Sequence, residues 1–205
     1  MMGPPWYLAG VVDELGDALA ALEHSHRIAA APHGIDEWDE RPLQLALADA
    51  LRRTFAVTLE APYPSLVVRD RRRGRRCDLV LAAPDISSET EPERALWLEL
   101  KLARQRRAGG DRDPRYAEQW RRQLIADLRK LAAEPRIHAA AIVLVAFTED
   151  EASLARDLDG FESVMVQRGV VAGFRQVRTV AVVDRIGHRV GAIAAWPTIQ
   201  EGPRA

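Results

Sequence analysis

The hydrophobic positions in the N-terminal quarter of the chain repeat every three or four residues. This spacing is typical of amphipathic helices and predicts a first helix over 11–31. A second helix should begin near Asp39, because Pro42 is tolerated only in the first turn of a helix. It should end before Ala56, where the pattern changes.

From Ala56 onwards the apolar residues form short runs rich in Val and Leu, separated by turn residues. Such runs are typical of β-strands, and we expect a meander of three or four strands. The predicted strands are FAVTLEAPYP, SLVVRD, RRCDLVLAAP and ALWLELKLA. The segment RRRG should form a hairpin tip, because Gly74 can adopt a positive φ there.

The C-terminal half alternates between helical and strand patterns. Helical spacing returns over 114–133 and 151–168, and 139–147 is a continuous apolar run typical of a strand buried on both faces. The last segment predicts an antiparallel hairpin that turns near Gly187. We therefore expect an α/β fold with a central mixed β-sheet flanked by helices, an N-terminal helix and a C-terminal β-hairpin.

Length and composition favour one domain. The 205 residues are 47% hydrophobic and 29% charged, which is ordinary for a globular protein. No repeat or linker divides the sequence, so we expect a single domain over 1–205. It comprises an N-terminal helical extension (1–38), a core (39–147), and a C-terminal helix and hairpin (148–205).

Charge and cysteine content limit the expected partners and compartment. The net charge of -1 gives no global field that would attract nucleic acid. The single cysteine, Cys77, cannot form an internal disulfide or a cysteine zinc site, which fits a reducing cytoplasm. The N-terminus lacks a basic region and Asp13 breaks its apolar run, so we expect no signal peptide, no membrane span and a cytoplasmic protein.

One predicted strand carries a carboxylate and an ammonium group among apolar residues. Side chains alternate along a strand, so Trp97, Glu99 and Lys101 share one face while Leu98 and Leu100 share the other. Two charged groups in such a strand are costly to bury unless they have partners or a task. Lysine is also rare here, because arginine supplies the positive charge everywhere except at positions 101 and 130.

Asp78 is a lone acid at the head of the preceding apolar strand. If the two strands pair, Asp78 comes beside Glu99, and two neighbouring carboxylates repel unless a cation joins them. Mg²⁺ or Mn²⁺ would suit the site, because Mg²⁺ needs only one or two carboxylates and accepts phosphate oxygens. Such an ion activates water and neutralises charge on a phosphate, so phosphodiester hydrolysis with Lys101 orienting the water is the natural chemistry.

Asp78 followed by Glu99-Leu100-Lys101, within the order helix, strands, helix, strand over about 39–147, resembles the PD-(D/E)XK nuclease superfamily. The resemblance implies a restriction-endonuclease-like core and a Mg²⁺-dependent nuclease, with DNA as the substrate. It further implies that Asp78 and Glu99 bind the metal, that the Leu100 carbonyl is another ligand, and that Lys101 is catalytic.

Further site residues follow from the same resemblance. Some members add an acid from the preceding helix, for which Glu40 is the candidate and Glu37 the alternative. Others place a catalytic glutamine in the helix after the lysine, where Gln119 stands. The chain departs from the family pattern in having Cys77 in place of the proline, and Gln123 where one branch has tyrosine.

Two other interpretations stay open. The alternative to a nuclease site is that Glu99 and Lys101 form an exposed ion pair on an edge strand, which adds little to stability. The chain could also be a catalytically idle, nuclease-like module that binds nucleic acid or protein within a larger complex. A homodimer is a further expectation, because two copies of one site are the simplest way to cut both strands of a duplex.

Arginines crowd the sequence on either side of the motif. As candidates for binding the phosphates of nucleic acid we take Arg71, Arg72, Arg73, Arg75, Arg76, Arg104, Arg106 and Arg107. The alternative is a solvated turn, balanced by nearby acids. The histidines carry no predicted metal site, because His24 and His26 point in different directions and His188 is isolated in the sequence.

Overall fold

The computed structural model describes residues 6–65, 76–107 and 109–199. The helices are α1 (Leu8–Ile28), α2 (Glu40–Leu51), α3 (Tyr116–Ala132) and α4 (Glu151–Gln167). The strands are β1 (Ala56–Pro62), β2 (Arg76–Ala82), β3 (Leu96–Arg104), β4 (Ala139–Thr148), β5 (Gln176–Ala181) and β6 (Val190–Pro197). Each predicted helix is present, with ends that differ by a few residues.

The strands form one mixed sheet in the order β1-β2-β3-β4-β6-β5. All neighbours are antiparallel except β3 and β4, which are parallel because α3 carries the chain back across the sheet between them. The predicted mixed sheet, N-terminal helix and C-terminal hairpin are confirmed. Gly187 lies in the loop of that hairpin with a φ of +97°, a conformation that favours glycine.

Helices cover both faces of the sheet. Helices α1 and α2 pack on the face that carries Leu98 and Leu100, whereas α3 and α4 pack on the face that carries Trp97. The alternation predicted for β3 is therefore confirmed. Strand β4 is buried on both faces, which explains its uninterrupted apolar sequence.

The sheet opens between β2 and β3. Their ladder ends at the pair Leu79–Leu98, although β3 continues to Arg104. Beyond this point the backbone N–H groups of Leu100 and Leu102 donate to carboxylate side chains instead of to a neighbouring strand. The opening therefore creates a place where side chains from both helical layers can meet β3.

Some sequence predictions fall outside the described residues. These are the SLVVRD strand, apart from Ser65, the hairpin tip at Gly74, and the candidate phosphate ligands Arg71, Arg72, Arg73 and Arg75. Among the residues that the structure does describe, no helix combines the length and apolar character needed to cross a membrane.

Candidate active site

Asp78 is fixed where β2 parts from β3. Its Oδ2 accepts a hydrogen bond from the Leu100 N–H at 2.7 Å, and Gln44 of α2 donates to its backbone carbonyl at 2.8 Å. On the other side the pairing of β1 with β2 is interrupted at Glu60, whose φ of +51° marks a local distortion of β1. Asp78 is therefore held by its own strand, β3 and α2.

Lys101 lies next to Asp78. Its Nζ is 3.4 Å from Asp78 Oδ2 and donates to the Leu100 carbonyl at 2.8 Å. Glu40 of α2 and Asp127 of α3 lie at 3.9 and 3.6 Å from the same Nζ. Burial alone would lower the pKa of Lys101, but the charges of Asp78, Glu40 and Asp127 outweigh burial and raise it, so the side chain stays an ammonium.

Glu99 is buried, with 2% of its surface exposed. Its Oε1 accepts from the Tyr63 hydroxyl at 2.5 Å and lies 2.5 Å from Lys130 Nζ. Burial raises the pKa of Glu99 to about 7, and the charge of Asp78 adds to this effect, while Lys130 and Tyr63 oppose it. Glu99 therefore exchanges its proton near neutral pH.

Lys130 reaches the site from the last turn of α3. Its Nζ is 3.0 Å from Asp127 Oδ1 and lies 5.2 Å from the centre of the Tyr63 ring. Burial would lower its pKa, but the contacts with Glu99 and Asp127 raise it. Asp127 thus lies between the ammonium groups of Lys130 and Lys101 and joins the two halves of the site.

We call this group the carboxylate–lysine cluster. It consists of Glu40, Asp78, Glu99, Lys101, Asp127 and Lys130. Four carboxylates face two ammonium groups, so the cluster carries a net charge of -2 when every member is ionised. A partly buried excess of negative charge favours a cation.

Sequence reasoning found part of this cluster. Lys101 contacts both Glu40 and Asp78, and Glu99 is linked to them through Lys130 and Asp127. Gln119 is not part of the cluster: it is exposed, lies about two turns before Asp127 on α3, and lines a neighbouring cleft.

The alternative acid, Glu37, also lies elsewhere. It accepts from the Gly34 N–H at 3.1 Å and lies beside His33, so it stabilises its own turn.

Three contributors were missed: Tyr63, Asp127 and Lys130. Tyr63 follows the end of β1 and gave no signal in the sequence. Lys130 did give one, because it is the second of the two lysines in an arginine-rich chain. Asp127 and Lys130 are also three residues apart on a predicted helix, a spacing that places both on one face.

The described candidate arginines are partnered within the protein. Arg104 lies 3.9 Å from Asp39 and Arg107 lies 2.8 Å from Asp113. Arg106 lies 3.7 Å from Glu149. These three arginines line the cleft beside the cluster.

Arg76 pairs with a backbone group instead of a carboxylate, because its guanidinium donates to the Glu60 carbonyl at 2.6 Å.

His188 is not isolated in the folded protein, contrary to the expectation from its sequence position. It is fully buried, and its Nδ1 lies 2.9 Å from Asp36 Oδ2. Its Nε2 accepts the Arg106 N–H at 3.0 Å, which assigns the proton to Nδ1 when the ring is neutral. His188 therefore fastens the C-terminal hairpin to the turn before α2 through Asp36, and to the loop after β3 through Arg106.

The donor atoms of the cluster suit a hard cation. Asp78, Glu99 and the Leu100 carbonyl are oxygen ligands, and Mg²⁺ takes one or two carboxylates and completes its shell with water. Within the described residues each of the two carboxylates contacts the protein through one oxygen only, Oδ2 and Oε1 respectively. In the same part of the chain no three Asp, Glu, His or Cys side chains are grouped closely enough to hold an ion. An ion here would therefore rely on two carboxylates, the carbonyl and water.

Comparison of the chain with protein-family models, curated proteins and solved structures gave no match.

Proposed function

We propose that this protein is a divalent-metal-dependent nuclease that hydrolyses phosphodiester bonds, with DNA as its substrate and a restriction-endonuclease-like core. One observation carries the proposal: Lys101 contacts Asp78 and Glu40 where β2 and β3 separate, and Asp127 and Lys130 link this group to Glu99. The cluster has a net charge of -2 when every member is ionised. Asp78 and Lys101 keep 19% and 16% of their side-chain surface exposed, so a substrate phosphate can reach them.

Asp78, Glu99 and the Leu100 carbonyl would hold Mg²⁺ or Mn²⁺. When bound, the ion would supply Lewis-acid stabilisation of the charge that develops on the phosphate. Glu99 is suited to this role by its position, because Tyr63 and Lys130 both hold Oε1 and so fix the orientation of the carboxylate. Asp78 is fixed in the same way by Leu100 N–H.

Lys101 would act on the substrate directly. Its Nζ contacts the Leu100 carbonyl and Asp78, two of the three proposed ligand groups, so it already lies beside the place where the phosphate would bind. A raised pKa keeps it charged, and a fixed ammonium there stabilises a phosphate that gains negative charge during attack by water. Glu40 and Asp127 orient the Lys101 side chain from opposite sides.

The test is cleavage of DNA by purified protein with Mg²⁺ or Mn²⁺. Both a supercoiled plasmid and labelled oligonucleotides are needed, because the proposal does not choose between internal and terminal cuts. Lys101→Met should lower the rate roughly 10²- to 10³-fold, the usual effect of removing one group that stabilises the transition state. Asp78→Asn should abolish metal-dependent cleavage.

The matched control is Asp157→Asn. Asp157 is buried to the same extent as Asp78, with 20% of its side chain exposed, but it pairs with Arg121 outside the cluster. This variant should cleave at the wild-type rate. Circular dichroism and thermal melting establish that each variant is folded. Wild-type rates in folded Lys101→Met and Asp78→Asn would refute the proposal.

A second candidate function is a catalytically idle module that binds nucleic acid or a protein partner. One observation favours it: Lys101 and Lys130 already contact Leu100 O, Asp78 and Glu99, and so neutralise part of the proposed metal site from within the chain. Calorimetric titration with Mn²⁺ separates the candidates. A nuclease should take up the ion through Asp78, whereas an idle module should bind DNA in a salt-dependent manner without uptake of metal.

A further inference from the structure

A cleft of about 300 Å³ lies beside the carboxylate–lysine cluster. It is bounded by the end of β3, the first turns of α3 and the loop between them. Its lining combines three arginines with three acids: Arg104, Arg106, Arg107, Glu37, Asp39 and Asp113. The volume is at the low end of the range for small-ligand sites, so the cleft can take one unit of a polymer or a small molecule.

Glu40 connects the cluster to the cleft, although it does not line the cleft itself. Glu40 Oε2 accepts the N–H of Leu102, which lines the cleft, while Glu40 Oε1 is 3.9 Å from Lys101 Nζ. Arg104 follows on the same strand, roughly 10 Å from Lys101 at 3.3 Å per residue. A ligand that extends from the cleft past Leu102 therefore approaches the cluster.

Two of the three arginines in the cleft have partners that a ligand can replace. Arg104 lies 3.9 Å from Asp39, whose side chain is 89% exposed. Arg107 contacts Asp113 at 2.8 Å but keeps 60% of its own side chain exposed. Ion pairs exposed to this extent contribute little, so an anion with more charge and more acceptor oxygens than a carboxylate can displace them.

Arg106 is held in place before any ligand arrives. Its N–H donates to buried His188, and its Nη1 donates to the Gly110 carbonyl at 2.8 Å. The loop is also closed by the Asp113 N–H, which donates to the Gln105 carbonyl at 2.9 Å. The guanidinium group is thus ordered by the fold, which reduces the entropy lost on binding.

The three arginines share the cleft with three carboxylates, of which Glu37 is held within its own turn and Asp39 and Asp113 are the partners to be displaced. An anion that competes with two carboxylates needs more charge than the single negative charge of an internal phosphodiester. A terminal phosphate monoester carries about -1.5 to -2 at pH 7 and offers three acceptor oxygens. We propose that this cleft binds the terminal phosphate of a nucleic-acid strand and so presents a phosphodiester near that end to the cluster. The inference rests on the proposed function, because it assigns the cluster's substrate to strand ends.

The test measures binding without cleavage. Fluorescence anisotropy in EDTA compares oligonucleotides that are identical except for a 5′-phosphate, a 3′-phosphate or hydroxyl ends. One phosphorylated end should bind at least tenfold more tightly than the hydroxyl form. Arg104→Gln/Arg107→Gln should reduce this preference to less than twofold. Arg112→Gln is the matched control, because Arg112 lies in the same loop and pairs with Glu149 without lining the cleft.

Equal affinity for phosphorylated and hydroxyl ends would overturn the inference, as would a preference that survives in the double variant. Binding of a nucleoside monophosphate with the same arginine dependence, without any preference among the oligonucleotides, would overturn it in favour of a free nucleotide. The two proposals fail separately. A preference for phosphorylated ends without metal-dependent cleavage removes only the nuclease, whereas cleavage that ignores the end group removes only this subsite.

Discussion

Substitution of the buried glutamate, Glu99→Gln, should remove a large part of the dependence of stability on pH. The folded state binds a proton at Glu99 more tightly than the unfolded state, because burial raises its pKa from 4.5 to about 7. At roughly 1.4 kcal/mol for each pH unit, this difference amounts to about 3 kcal/mol.

The direction follows from the raised pKa. The contribution of Glu99 to stability is fully present below pH 4.5, where both states are protonated, and is lost as the pH rises through 7. Glutamine is neutral at every pH and so behaves like the protonated glutamate. Relative to Glu99→Gln, the wild type should therefore lose about 3 kcal/mol of unfolding free energy between pH 4.5 and pH 8.

Urea unfolding followed by tryptophan fluorescence measures this difference. Both proteins are unfolded in EDTA at half-unit steps of pH, and the difference between them cancels the titration of all other groups. Parallel pH profiles would refute the argument that burial controls Glu99. Excess Mg²⁺ should flatten the wild-type profile, because a cation beside the carboxylate favours its ionised form.

Three further outcomes are expected. Protein labelled only at lysine should give side-chain NMR signals from Lys101 and Lys130 alone, and Mn²⁺ should broaden both; sharp signals with bound Mn²⁺ would place the ion elsewhere. Tyr63→Phe removes a donor to the buried glutamate and should lower the unfolding free energy by about 1–3 kcal/mol; an unchanged urea midpoint would contradict this. Gly187→Ala should destabilise the protein by about 1 kcal/mol more than Gly169→Ala. Both glycines have a positive φ, but only at position 187 does the new methyl group meet a side chain, that of Arg106. Equal shifts of the melting temperature in the two variants would show that Arg106 moves aside freely.

Local sequence patterns determined the elements of this fold. Period-three-and-four spacing located the helices, and the apolar run of β4 showed that the strand is buried on both faces. The face on which a side chain lies depends on its position within its own helix or strand, so the periodicity of a single sequence is enough to predict that face. The same alternation placed Glu99 and Lys101 on one face of β3.

The order of strands was not contained in those patterns. The insertion of β6 between β4 and β5, and the end of the β2–β3 ladder at Leu98, depend on contacts between distant segments. That separation of β2 from β3 allows Asp78 to bind the Leu100 N–H and lets Glu40 approach from α2.

The sequence by itself determined the α/β architecture and singled out Asp78, Glu99 and Lys101, because charged residues within apolar strands are rare and costly to bury. Only the tertiary structure decided that Tyr63, Asp127 and Lys130 join them, and that Gln119 lines the neighbouring cleft instead. The physical reason is that a side chain's partners depend on how helices pack over the sheet. Packing of α3 brings its last turns to Glu99, and no local spacing specifies which turn of a helix will lie above a given strand.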